Sequence, residues 1–117
     1  MPTTARRFID DFLAGDVPLA ASRLAPNASF HSPIRDYTGA DRIESVWLAV
    51  AGVVRNAQLK SIYERDRETV ALFGGKILDQ PVDGVLRTLS DDENRVADVT
   101  LMIRPWSALK AGIADIN

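Results

Sequence analysis

One acidic residue lies where the surrounding sequence is apolar. Asp83 stands in the run Val82-Asp83-Gly84-Val85, which is typical of a strand. A carboxyl group that such neighbours remove from water has a raised pKa, and it can then donate a hydrogen bond or exchange a proton with a substrate. Asp83 is therefore the first candidate for acid–base chemistry. The alternatives are that it pairs with Arg87 on the same strand face or faces water.

The second candidate is His31, the single histidine of the chain. An unperturbed imidazole titrates near neutral pH, so this side chain suits proton transfer. Because side chains alternate along a strand, His31 and Ser32 point to opposite faces, and only one of them readily faces the interior. Two interpretations of His31 follow: a helper in a pocket, or a hydrogen-bonded residue on the surface.

The composition excludes several kinds of site. There is no cysteine, so disulfides, cysteine-ligated zinc, iron–sulfur clusters and thiol nucleophiles are ruled out. With one histidine, a metal site would have to consist mostly of carboxylates. The acidic run at 91–93 is more typical of a solvated turn than of a metal site. We expect neither a metal nor a cofactor.

Helical periodicity and capping residues predict the elements at the start of the chain. Apolar residues recur at helical spacing over residues 5–13, with Thr3 or Thr4 as the cap and Gly15 just past the end. Asp16 caps a short second helix, which we expect to extend through Leu24. A short extended piece over residues 28–31 follows.

A polar loop over residues 34–39 precedes the longest predicted helix. Thr38 and Asp41 resemble a capping box, and an apolar stripe then runs over residues 43–54. Four extended runs follow at 57–65, 68–78, 82–90 and 95–104, and residues 106–113 form a closing helix. The pair Gly74-Gly75 predicts a bulge or a bend. Helices followed by a meander predict an α+β domain.

Alternation along the last predicted strand separates two faces. Ala97, Val99, Leu101 and Ile103 lie on the more apolar face, so Asp98 is expected to point outward, to solvent or to a dimer partner.

Several short motifs together resemble the nuclear transport factor 2-like superfamily, in its SnoaL-like and ketosteroid isomerase-like branch. Each motif is weak alone, but their order and spacing over nearly the whole chain are more specific. The motifs are Arg7-Phe8 to Ala14-Gly15-Asp16, Phe30-His31-Ser32-Pro33, Tyr37-Thr38-Gly39-Ala40, Pro81-Val82-Asp83-Gly84-Val85 and Arg104-Pro105.

The resemblance implies a cone-shaped α+β barrel, in which N-terminal helices pack on a curved, mostly antiparallel sheet and enclose an apolar pocket. It also implies frequent dimerisation through the outer face of the sheet. In ketosteroid isomerases a catalytic aspartate stands where this chain has Ser32, and an oxyanion-binding tyrosine where it has Phe8. Asp83 matches their second oxyanion donor, and Trp47 matches a tyrosine of the pocket wall. Isomerisation by that mechanism is therefore not expected.

Our hypothesis from the sequence is a single domain over residues 1–117 that binds a small hydrophobic, oxygenated molecule. Cofactor-free acid–base chemistry of the isomerase, cyclase or lyase type would use Asp83 and His31. The alternative is a non-catalytic ligand-binding or dimerisation module of the same fold. The residues expected to contact the ligand are Phe8, Phe12, Ser32, Trp47, Tyr63, Val85, Val99 and Leu101.

Charge and hydropathy indicate the partners and the compartment. The net charge of −2 gives no basic patch for nucleic acid. The longest apolar run, residues 46–54, is far shorter than the ~20 residues that span a bilayer. We expect a cytoplasmic protein without nucleic-acid or membrane partners. We also expect a homodimer through a sheet face that carries Ile62, Met102 and parts of Val96 and Thr100.

Overall fold

The computed structural model describes residues 3–116, which begin with two capped helices. Helix α1 is Thr4–Leu13, and its N-cap Thr3 accepts a hydrogen bond from the Arg6 backbone N–H at 3.1 Å. Helix α2 is Val17–Ala21, and its N-cap Asp16 accepts one from the Leu19 N–H at 3.2 Å. Both helices start where their capping residues predicted.

The next three elements correct the sequence interpretation in detail. Strand β1 (Leu24–His31) begins four residues earlier than predicted, because Leu24 lies outside α2 and pairs with Val96 of the last strand. The segment predicted as loop contains strand β2 (Asp36–Thr38), which pairs with β1. Helix α3 (Ala40–Val50) is capped by Gly39 at φ 98° without a side-chain hydrogen bond, so the predicted capping box is wrong.

The remaining elements follow the predicted order. They are β3 (Val54–Arg65), β4 (Glu68–Ile77), β5 (Gln80–Ser90), β6 (Val96–Arg104) and α4 (Trp106–Ile116). The six strands form one curved, open sheet in the order β2-β1-β6-β5-β4-β3, in which only the β1–β6 pair is parallel. The prediction of helices packed on a curved, mostly antiparallel sheet is confirmed.

Two irregularities in β3 decide which side chains face the helices. The register between β3 and β4 shifts between Arg55 and Gln58 and again between Leu59 and Ser61. The predicted irregularity therefore lies on β3, where residues 56–57 stand opposite Gly75, rather than on β4 itself. Since each extra residue reverses the alternation, the second shift turns Ile62 toward the core.

The concave face of the sheet and the helices enclose the main core. Phe8, Ile9, Ile43 and Trp47 from α1 and α3 are buried against the sheet. Val96 is fully buried in this core, and Ile62 is partly buried against it. The expectation that these two residues belong to an outer, partner-facing surface is therefore wrong. The strand residues of this core include Phe30, Ala71, Phe73, Leu86, Val96 and Val99. A second cluster forms where α4 packs on the sheet and contains Ile77, Val82, Ala108 and Leu109.

Within residues 3–116, the longest helices have 11 residues, and none of them is long and apolar enough to cross a membrane.

Candidate functional site

A cavity of about 410 Å³ opens between the helices and the concave face of the sheet. Its walls come from the turn between α1 and α2, the loop between β1 and β2, the end of α3, helix α4 and the inner side chains of the sheet. The lining residues are mostly apolar and include Leu13, Val17, Phe30, Val46, Val50, Val54, Ala57, Phe73, Leu101, Ile103, Leu109 and Ile113. Enclosed, apolar cavities of this size are typical of small-molecule sites.

Aromatic rings form one side of the cavity. Trp47 is 3% exposed and lies edge-on to Phe12 and Phe30, with ring centroids 5.2 and 5.3 Å apart. Phe30 also stacks on Tyr37, with centroids 6.1 Å apart. The indole Nε1–H of Trp47 is buried and has no hydrogen-bond partner among the described residues.

The structure brings together only part of the predicted binding set. Phe12, Ser32, Trp47 and Leu101 line the cavity. The described cavity wall does not include the other four, which are Phe8, Tyr63, Val85 and Val99.

Two of those four lie too deep and two lie on the wrong face. Phe8 and Val99 are fully buried in the main core. Val85 alternates with buried Gly84 and Leu86, so it lies on the convex face of the sheet. Tyr63 is 63% exposed on that same face, because the bulge in β3 separates its side from that of Leu59.

The expectation that Asp83 is desolvated in the pocket is wrong. Its side chain is 55% exposed and accepts a hydrogen bond from the Lys60 ammonium at 2.9 Å, while the Arg104 guanidinium lies 3.7 Å away. The hydrogen bond from Lys60 and its charge lower the pKa of the Asp83 carboxyl below its usual value, and Arg104 acts in the same direction. Of the two alternatives, Asp83 faces water, and Arg87 pairs with Glu68 instead.

The register of β5 explains this placement. The buried positions of the strand are Val82, Gly84, Leu86 and Thr88, so Asp83 faces outward. The ring of Phe73 covers Gly84 on the inner face, where a Cβ atom would overlap the ring. The sequence pattern hid this, since Val85 and Leu89 make the outer face of β5 apolar as well.

His31 takes the surface position, as its alternation with cavity-lining Ser32 allows. Its Nδ1 lies 2.9 Å from Asp36 Oδ1 and its Nε2 2.8 Å from Asp98 Oδ1. The hydrogen bond to Asp36 and then that to Asp98 raise the pKa of His31 above its usual value. Asp98 faces outward as expected, and it meets His31 of the same chain there.

Sequence reasoning missed two polar residues of the cavity, Arg35 and Tyr37. Both lie in the segment interpreted as a plain loop. Tyr37 pairs with Phe30 across β1 and β2, so the two rings share a sheet face. A hairpin prediction around Pro33 would have placed Tyr37 on that face.

Comparisons with solved structures show many similar folds. An uncharacterised bacterial protein with a cystatin-like fold from Silicibacter pomeroyi is 22% identical, and the match covers 97% of this chain and 82% of that one with a TM-score of 0.88. A steroid delta-isomerase from Pseudomonas aeruginosa is 22% identical, with coverage of 99% and 90% and a TM-score of 0.84.

A third similar structure comes from Shewanella putrefaciens and is named as a SnoaL-like polyketide cyclase. It is 17% identical, with coverage of 96% and 84% and a TM-score of 0.73. No family model matches the sequence, and no curated protein matches it. The chain has the nuclear transport factor 2-like fold, which is also described as cystatin-like. At these identities the likeness establishes the fold alone.

Proposed function

We propose that this protein binds a small hydrophobic molecule in the cavity, as a binding module in which Asp83 and His31 take no direct part. The observation that carries the proposal is the cavity itself, which is about 410 Å³ in volume and has a wall of aromatic and aliphatic side chains. Apolar surface on a ligand gains free energy when such a wall removes it from water, at about 25 cal/mol per Å².

The position of the titratable groups favours binding over acid–base catalysis. Among the described residues that line the cavity, none is a carboxylic acid or a histidine. Asp83 and His31 both lie on the convex face of the sheet, in ion pairs or hydrogen bonds of their own. A general acid or base has to come within hydrogen-bond reach of the reacting proton, and neither side chain lies in the cavity wall.

The similar structures fit this proposal at a coarse level. A steroid delta-isomerase and a protein named as a polyketide cyclase share the fold. The apolar cavity of this chain suits a molecule that is itself mostly apolar.

A fluorescence titration tests the proposal with Trp47 as reporter. The chain has two tryptophans, and Trp106 is 57% exposed, so Trp106→Phe leaves only the buried one in the cavity wall. N-phenyl-1-naphthylamine is an uncharged apolar probe that absorbs in the range of tryptophan emission. We expect saturable quenching of Trp47 with a matching rise in probe emission.

Two matched substitutions locate the probe. Ala57→Phe places a ring in the cavity wall, whereas Ala49→Phe places the same ring on the exposed side of α3, outside the wall. We expect the first change to weaken probe binding and the second to leave it unchanged. Absence of saturable quenching, or equal loss in both variants, contradicts the proposal.

A further inference from the structure

The cavity has one charged residue at its mouth. Arg35 lines the cavity and is exposed to solvent, and within residues 3–116 no other charged residue lines it. The Arg35 guanidinium forms no ion pair with any described residue. The arginines that do form one lie elsewhere on the surface: Arg6, Arg23, Arg67, Arg87, Arg95 and Arg104.

A tight turn holds the backbone of Arg35 in place. The Ser32 hydroxyl donates to the Arg35 carbonyl oxygen at 2.7 Å and accepts from the backbone N–H groups of Ile34 at 3.2 Å and Arg35 at 3.0 Å. The Ser32 backbone N–H also donates to the Arg35 carbonyl oxygen at 3.0 Å. These bonds occupy the Ser32 hydroxyl, so its donor hydrogen is already used within the turn.

Two lining side chains, Arg35 and Tyr37, offer hydrogen-bond donors to a ligand. The guanidinium of Arg35 has only donors, and the hydroxyl of Tyr37 can donate as well. Neither side chain forms a hydrogen bond within the described part of the chain, although the Arg42 guanidinium lies over the Tyr37 ring at 5.7 Å. An unpaired cation at the mouth of an apolar cavity attracts anions and repels cations.

We infer that the ligand carries a carboxylate, which binds to Arg35 at the mouth while the apolar part of the molecule fills the cavity. This inference rests on the proposed function and adds the chemical class of the ligand. A carboxylate only accepts hydrogen bonds and matches the planar fork of a guanidinium. The aromatic wall suits a ring system as the apolar part.

Competition with the uncharged probe tests the inference in the Trp106→Phe protein. The competitors are 2-naphthoate and 2-naphthamide, which share a ring system and differ in charge. We expect 2-naphthoate to displace N-phenyl-1-naphthylamine at about tenfold lower concentration, as for one charge-assisted hydrogen-bonded pair. Arg35→Gln removes this preference, and Arg35→Lys retains part of it.

Arg55→Gln is the matched control. Arg55 is also exposed and without an ion pair among the described residues, and it neighbours the lining residue Val54 without lining the cavity itself. The preference for 2-naphthoate persists in this variant. If the probe binds but the two competitors are equivalent, or if both variants lose the preference equally, the inference fails and the proposed function stands. If the probe does not bind at all, both fail.

Discussion

His31 lies between two carboxylates, and this arrangement links the stability of the fold to pH. Asp36 comes from β2 and Asp98 from β6, so the imidazole joins the edge strand and the sheet interior across β1. The hydrogen bonds to Asp36 and then Asp98 raise the pKa of His31 in the folded protein. The His31 imidazole therefore binds its proton more tightly in the folded protein than in the unfolded chain.

The sign of the pH dependence follows from this shift. Stability from His31 is fully present below its ordinary pKa of about 6.5 and is lost as pH rises through the higher pKa of the folded state. We expect the free energy of unfolding of wild type to exceed that of His31→Gln by more at about pH 5.5 than at about pH 8.5. Urea denaturation of both proteins at the two pH values measures this difference in the free energy of unfolding. A difference that is equal at both, or larger at high pH, contradicts the assignment.

Asp83, like His31, lies outside the cavity wall, but it has no bond to β2. Its carboxylate has a pKa below the usual value because Lys60 donates to it, and Arg104 lies near. Exposed ion pairs of this kind contribute little to stability. We expect Asp83→Asn to leave the affinity for N-phenyl-1-naphthylamine unchanged between about pH 5 and pH 8, because the side chain stays ionised through this range in wild type. A fluorescence titration of both proteins checks this. A change in affinity that follows pH in wild type and disappears in the variant would restore Asp83 as a site residue.

At the scale of elements, β4 and β5 pack closely at Gly84. The ring of Phe73, 2% exposed on the paired strand β4, lies against this glycine. A side chain at position 84 would displace the ring into the core and toward the cavity, since Phe73 also lines it.

We expect Gly84→Ala to lower the free energy of unfolding by about 1–3 kcal/mol, the usual cost of overfilling a packed core. Chemical denaturation measures the loss. The double variant Gly84→Ala/Phe73→Leu supplies the control, because the smaller side chain makes room for the added methyl group. Recovery of part of the loss in the double variant supports steric overlap as the cause. If the single change has no effect, the ring of Phe73 does not restrict the side chain at position 84.

The sequence predicted elements better than it predicted faces. Capping residues and periodicity placed α1, α2 and the four long strands, because these signals are local. Tyr63 and Ile62 were misplaced because a bulge in β3 reverses the alternation, and the bulge depends on pairing with β4. Asp83 was misplaced because β5 is apolar on both faces, so alternation carries no information about its orientation. Arg35 was missed because a turn of four residues, rather than a periodic element, carries it to the cavity.

At the scale of the whole molecule, the convex face of the sheet has an apolar centre. Leu72, Val85 and Met102 lie side by side in one row across β4, β5 and β6. Met102 is 54% exposed and Leu72 37% exposed.

Tyr63 and Val70 continue the patch in the next row. The pairs Arg87–Glu68 and Lys60–Asp83 lie on the same face. Each of these charged groups has a partner of opposite charge within the chain, and Arg104 shares the Asp83 carboxylate with Lys60.

We propose that a second copy of this chain covers the patch in a two-fold dimer. A two-fold contact brings identical surfaces together, so the apolar row of one copy can pack on the same row of the other. Burying such rows at an interface of about 800 Å² per partner is sufficient for a specific association. The cavity opens on the opposite side of the sheet, so the dimer would leave its mouth free.

Met102→Lys places a charge in the centre of the patch without disturbing the monomer, since the side chain is already more than half exposed. The matched control is Leu48→Lys on α3, where the replaced side chain is 55% exposed and lies away from the sheet face. We expect sedimentation equilibrium at micromolar concentration to give twice the mass of one chain for wild type and for Leu48→Lys, and the mass of one chain for Met102→Lys. The added charge destabilises only the dimer. In the dimer two unpaired ammonium groups would be buried against each other, whereas in the monomer each stays in water. A wild type of monomeric mass rules out the dimer. If the dimer persists in Met102→Lys, the contact lies on another face of the molecule.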